Sequence, residues 1–135
     1  MIGSLIILIQ MVVAGCGDSH NSTPPVVGDV ATFTRVQNEV FLQTCATAEC
    51  HDTITRQSAL DLSVGQAHVQ IVNIPSVQIQ SLMRIAPNNP DNSYLFQKIS
   101  TSSPASGLRM PPGAILADSR INLVRRWILR GAPND

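Results

Sequence analysis

Large apolar side chains are scarce in this chain. Its aromatic residues are Phe33, Phe41, Tyr94, Phe96 and Trp127, about 4% of the sequence, although apolar residues together make up 44%. Nine prolines and eight glycines divide the chain into short pieces. About 100 residues built this way form a thin core unless a staple or an embedded group fills it. An excess of one charge is lacking too, because nine Lys and Arg balance nine Asp and Glu. That balance gives no reason to expect a nucleic-acid partner. No nucleophile–base pairing and no paired carboxylates stand out, so enzymatic chemistry is not expected. At 135 residues the chain holds at most one domain.

What is present begins with "LIILIQMVVA", Leu5 to Ala14. This apolar run is too short to span a bilayer, which takes about 20 residues, and suits the core of a secretory signal. "VAGC" follows and resembles the lipobox of bacterial lipoproteins, in which the cysteine is lipidated and becomes the new N-terminus. The opening "MIGS" departs from such signals in carrying no Lys or Arg. Residues 1–15 are expected to be a lipoprotein signal peptide, with Cys16 the lipidation site. Multiple acyl chains on Cys16 would hold the protein stably to a membrane, where one chain would not. Residues 16–30 contain the polar, Pro- and Gly-rich stretch "GDSHNSTPPVVGD" and read as a flexible tether, with His20 a solvated linker residue. The ordered domain is expected over residues 31–135. Its compartment is the periplasm or cell surface, anchored to a bacterial membrane. The outer membrane is preferred because Gly17 gives no retention signal.

An oxidising compartment permits disulfides and thioethers. With Cys16 assigned to lipid, Cys45 and Cys50 remain as a pair in "TCATAECHD". Three readings compete there. A disulfide would close a short loop, restrict the unfolded chain modestly and leave His51 unexplained. A zinc site would find one knuckle only, with His51 poorly placed to ligate beside Cys50 and His68 needed as a fourth ligand. The third reading is covalent haem. In C-x-x-C-H the cysteines form thioethers with the haem vinyl groups, and the adjacent histidine sits under the iron. Here the spacing is C-x4-C-H, with the extra residues free to loop outward. Haem attachment leads and the disulfide is second.

A haem iron held by His51 takes either a distal ligand, for electron transfer, or an open position. Met110 in "SGLRMPPGAIL" is the leading candidate. Pro111 and Pro112 stiffen this apolar loop and bias Met110 toward extended backbone. His68 stands second, with a surface or satisfied core position as its plainer explanation. Met83, among partly alternating apolar residues, reads as ordinary packing.

Two longer segments frame these residues. "ATFTRVQNEVFLQTC" places Phe33, Val36, Val40 and Phe41 on one helical face, running straight into the cysteine motif. "ADSRINLVRRWILRGAP" places Ile121, Leu123, Val124, Trp127 and Ile128 in one stripe, started by Asp118 or Ser119 and stopped by Gly131 and Pro133. Arg125, Arg126 and Arg130 flank that stripe as a solvated face. A short helix is expected in "PDNSYLFQKIS", with Tyr94, Leu95 and Ile99 facing inward.

The order "VFLQTCATAECH", "LDLS", "IVNIPS", "RIAPNNPDNSYLFQKI", "GLRMPPG" and "INLVRRWILRGAP" resembles the small c-type cytochrome domains of exported bacterial proteins, which look like class I cytochrome c. The resemblance spans about residues 33 to 133. It implies an all-α, cytochrome c-like fold with the N- and C-terminal helices in contact around one haem. It also implies that Cys45 and Cys50 hold haem c, with His51 as proximal and Met110 as distal ligand. The function implied is single-electron transfer at the cell envelope with redox partner proteins. The alternatives are a haemless surface lipoprotein stapled by a Cys45–Cys50 disulfide and a five-coordinate haem sensor.

Overall fold

The computed structural model of the chain describes residues 29–135. The expected signal peptide, Cys16, His20 and the tether up to residue 28 lie outside the described residues. Within them the regular structure is helical, with isolated bridges and no strand. No helix among the described residues is long and apolar enough to cross a membrane.

Helix α1, Phe33–Val36, starts at Thr32, whose side chain accepts from the Arg35 N–H. It runs directly into a π-helical segment, Gln37–Cys45. Phe33, Val36, Val40 and Phe41 are buried along it, as the periodicity predicts. Gln37 is buried as well and donates from Nε2 to the Leu62 carbonyl at 2.9 Å. The wider turn has a consequence for direction. At about 3.6 residues per turn, an α-helix would put Cys45 on the side opposite Val36. Bonds reaching five residues back, such as Ala46 N–H to Phe41 O at 2.8 Å, slow the rotation and bring Cys45 toward the Val40–Phe41 side.

Helix α2 spans Ala67–Ile71, α3 spans Tyr94–Ser100 and α4 spans Asp118–Leu129. In α4 the buried stripe is Leu123, Val124, Trp127 and Ile128, with Ile121 packed at its margin. Its N-cap position is Ala117, so Asp118 is the first helical residue and no side chain caps the start. Gly131 ends it at φ 91°, a conformation that favours glycine.

Helices α1 and α4 pack through Phe33 and Trp127, whose ring centroids lie 5.5 Å apart. The last residue reinforces this junction. Asp135 accepts the Phe33 N–H on Oδ1 at 2.9 Å and the Thr34 N–H on its main-chain oxygen at 2.8 Å. It therefore satisfies first-turn donors of α1 that have no partner within the helix. His68 completes the cluster, with its ring 4.9 Å from Phe33 and its Nε2 3.0 Å from the Ala132 carbonyl oxygen.

Candidate functional site

A cleft of about 730 Å³, open mouth included, lies between the π-helical segment, α3 and the loops around residues 58–62, 76–78 and 110. Its walls are mainly apolar, with Val40, Phe41, Leu60, Leu62, Leu95 and Ile99 contributing. Cys45, His51 and Met110 border this one cleft.

The cysteine–histidine loop closes on itself. The His51 N–H donates to the Cys45 carbonyl at 3.0 Å, and the Cys50 N–H to Thr47 O at 3.1 Å. Thr47, Ala48 and Glu49 are exposed, and Glu49 has φ 67°. The widened spacing is thus taken up as an outward bulge. The Cys45–His51 hydrogen bond pins the two ends of the loop together.

His51 is held from the opposite side by the chain that follows it. Its Nδ1 lies 2.9 Å from the Gln57 carbonyl oxygen. A carbonyl only accepts, so in the neutral ring the proton sits on Nδ1 and the lone pair on Nε2. Burial lowers the tendency of the ring to protonate, against the pull of the Gln57 and Leu60 carbonyls, and the Arg84 and Lys98 charges lower it further. The outcome is a histidine kept neutral, the form that ligates metal. The loop beyond it is anchored by the Leu62 N–H to His51 O bond at 2.8 Å.

Both Cys45 and Cys50 are unbonded thiols. Burial, with the neighbouring Cys50 adding to it, pushes the Cys45 thiol up to about 12. Cys45 borders the cleft and Cys50 does not.

Met110 reaches the cleft on a strap tied to α3. The Met110 N–H donates to Lys98 O at 2.7 Å, and the Arg109 guanidinium donates to Ile99 O. Four residues earlier, the Ser106 carbonyl accepts both the Tyr94 hydroxyl at 2.7 Å and Lys98 Nζ at 3.1 Å. His68 does not meet this site: it is a satisfied histidine in the Phe33–Trp127 cluster. Met83 lies outside the cleft and is 39% exposed rather than packed inside.

Two cations that border the cleft, Arg84 and Lys98, were not singled out from the sequence. A signal for Lys98 existed, since it follows Tyr94 by four residues and so shares its buried face of α3. Arg84, beside a bridge residue in an irregular loop, offered no comparable pattern. Among the described residues, no group of three or more His, Cys, Asp or Glu side chains is arranged to hold a metal ion. A site built on these residues would need a group that brings its own ligands to the metal. No family model, curated protein or solved structure matches the chain.

Proposed function

We propose that this protein is a monohaem c-type cytochrome, anchored by lipid on Cys16 and passing single electrons between partner proteins at the bacterial cell envelope. The observation that carries this reading is that Met110, distant in sequence, borders the same apolar cleft as Cys45 and His51. In this reading the fold is of the class I cytochrome c kind, with α1 and α4 as its contacting terminal helices. Cys45 and Cys50 would hold the haem through thioethers, and His51 and Met110 would ligate its iron. The chemistry of the lining supports the reading, with Cys45 rather than Cys50 at the cleft. A planar apolar group suits the aliphatic and aromatic walls, and a neutral imidazole and a thioether are both established iron ligands.

The haem supplies the one-electron Fe(III)/Fe(II) couple. The chain does the rest. Gln57 O fixes the His51 tautomer, so that Nε2 carries the lone pair. The α3-bound strap presents the Met110 thioether, a ligand that raises the potential relative to a second histidine. The apolar walls limit water around the redox centre. His51 and Met110 would both be engaged in holding the haem, so the reading is electron transfer rather than catalysis.

The test is production of the mature chain in a host with haem-attachment machinery, followed by acid–acetone extraction and a pyridine haemochrome spectrum. Colour that survives extraction, with the α-band of a two-thioether haem, is the expected result. A colourless chain from a host proven on a C-x4-C-H control overturns the reading in favour of a haemless lipoprotein. Carbon monoxide binding by the reduced protein would mark an open iron and the sensor alternative.

A further inference from the structure

Arg84 and Lys98 take no part in the ligand set, yet both border the cleft. Lys98 is 8% exposed and Arg84 is half-buried. Among the described residues neither has a carboxylate partner. Arg84 donates from Nη1 to Gln70 O at 2.8 Å and from Nη2 to Ala59 O at 2.9 Å. Lys98 donates from Nζ to Ser106 O at 3.1 Å and lies 5.7 Å from the Tyr94 ring centre. A guanidinium has five N–H donors and an ammonium three, so both keep donors to spare.

Taking a cation out of water is costly unless an opposite charge meets it. Burial accordingly lowers the affinity of both groups for their protons. Carbonyl bonds and one cation–π contact offset only part of that cost. An apolar cleft bearing two cations without counter-charges suits a ligand that is apolar over most of its surface and anionic at its edge. We propose that Arg84 and Lys98 receive the carboxylates of the haem propionates, an assignment that rests on the haem reading above. The same two residues then brace the site's scaffold. Arg84 links the segments at 59 and 70, and Lys98 links α3 to the Met110 strap.

The experiment uses the full mature chain from a haem-attaching host, as the parent and as Lys98→Met, Lys98→Arg, Arg84→Gln and Arg84→Lys. Midpoint potential and the propionate bending band in resonance Raman are the readouts. Loss of either charge is expected to lower the potential, because a nearby cation disfavours Fe(III), and to move the propionate band. The charge-keeping variants are expected to restore both. If Arg84→Gln fails to fold for want of its two carbonyl bonds, Lys98→Met decides the matter. A propionate band unmoved in a coloured Lys98→Met protein overturns the assignment and leaves the haem reading standing. A colourless parent overturns the haem reading and this assignment together.

Discussion

The Nδ1 of His51 lies 2.9 Å from the carbonyl oxygen of Gln57, six residues further along the chain. That contact gives the cysteine–histidine loop a direction. It selects one tautomer of the neutral ring and leaves the lone pair on Nε2. The Cys45–His51 main-chain bond closes the loop from the other side. Together they let a widened C-x4-C-H segment keep its histidine in place while Thr47, Ala48 and Glu49 bulge outward.

Replacing Met110 tests the far side of the cleft. Met110→Ala is expected to give a reduced protein that binds carbon monoxide, whereas the parent does not. Met110→His should keep six-coordination and lower the potential, since a thioether favours Fe(II) more than imidazole does. Spectral titration with carbon monoxide and potentiometry check the two substitutions, and an unchanged Met110→Ala spectrum would assign the ligand elsewhere.

Tyr94→Phe removes the hydroxyl bond to Ser106 O and leaves the ring. The cost to stability should be about 1 kcal/mol, the usual net worth of such a bond. Because that bond ties down the Met110 strap, the weak far-red band of a sulfur–iron(III) bond should fade in parallel. Denaturant titration and the oxidised spectrum read these effects separately.

Trp127→Ala strikes the contact between α1 and α4. Trp127 is fully buried, faces Phe33 and donates from Nε1 to Pro133 O at 2.9 Å. Truncation of a buried aromatic costs about 3–5 kcal/mol. A domain with a core this thin should show it as a large fall in the urea midpoint. A shift of a few tenths of a kcal/mol would contradict the packing described.

Acid stability should depend on Asp135. The Phe33 N–H bond, then the Arg130 guanidinium, hold its carboxyl below the usual carboxylate range despite some burial. The unfolded chain therefore binds more protons than the folded one in this range. The contribution is complete above the unfolded value of about 4 and is lost as pH falls toward the folded one. Asp135→Ala should flatten that part of the stability–pH curve and lower stability at neutral pH by about 1 kcal/mol, as loss of a capping acceptor does. Urea midpoints of the two proteins between neutral pH and acid make the comparison.

The parts of the fold that depend on periodicity were legible in the sequence. Phe33, Val36, Val40 and Phe41 along the first helix, and Leu123, Val124, Trp127 and Ile128 along α4, follow from the spacing of apolar residues. The π-helical turn that redirects Cys45 was not legible, because the same apolar spacing fits an α-helix for its first two turns. His68 was open between surface and core until Phe33, Trp127 and Ala132 O were seen around it. The place of Arg84 at the cleft was not legible, because it depends on which irregular loops meet there. Local pattern does not encode those meetings. The caps expected from Asp118 or Ser119 gave way to Ala117, with Asp118 inside the helix.

The most direct measurement is the intact mass of the mature chain made in a haem-attaching host, before and after Cys45→Ala and Cys50→Ala substitution. The account predicts one haem added covalently to the parent, and a haem retained through a single thioether, or lost, in the single variants. A parent mass lower by two hydrogens with no haem would contradict it, and would make "TCATAECHD" a disulfide loop beside an incidental histidine.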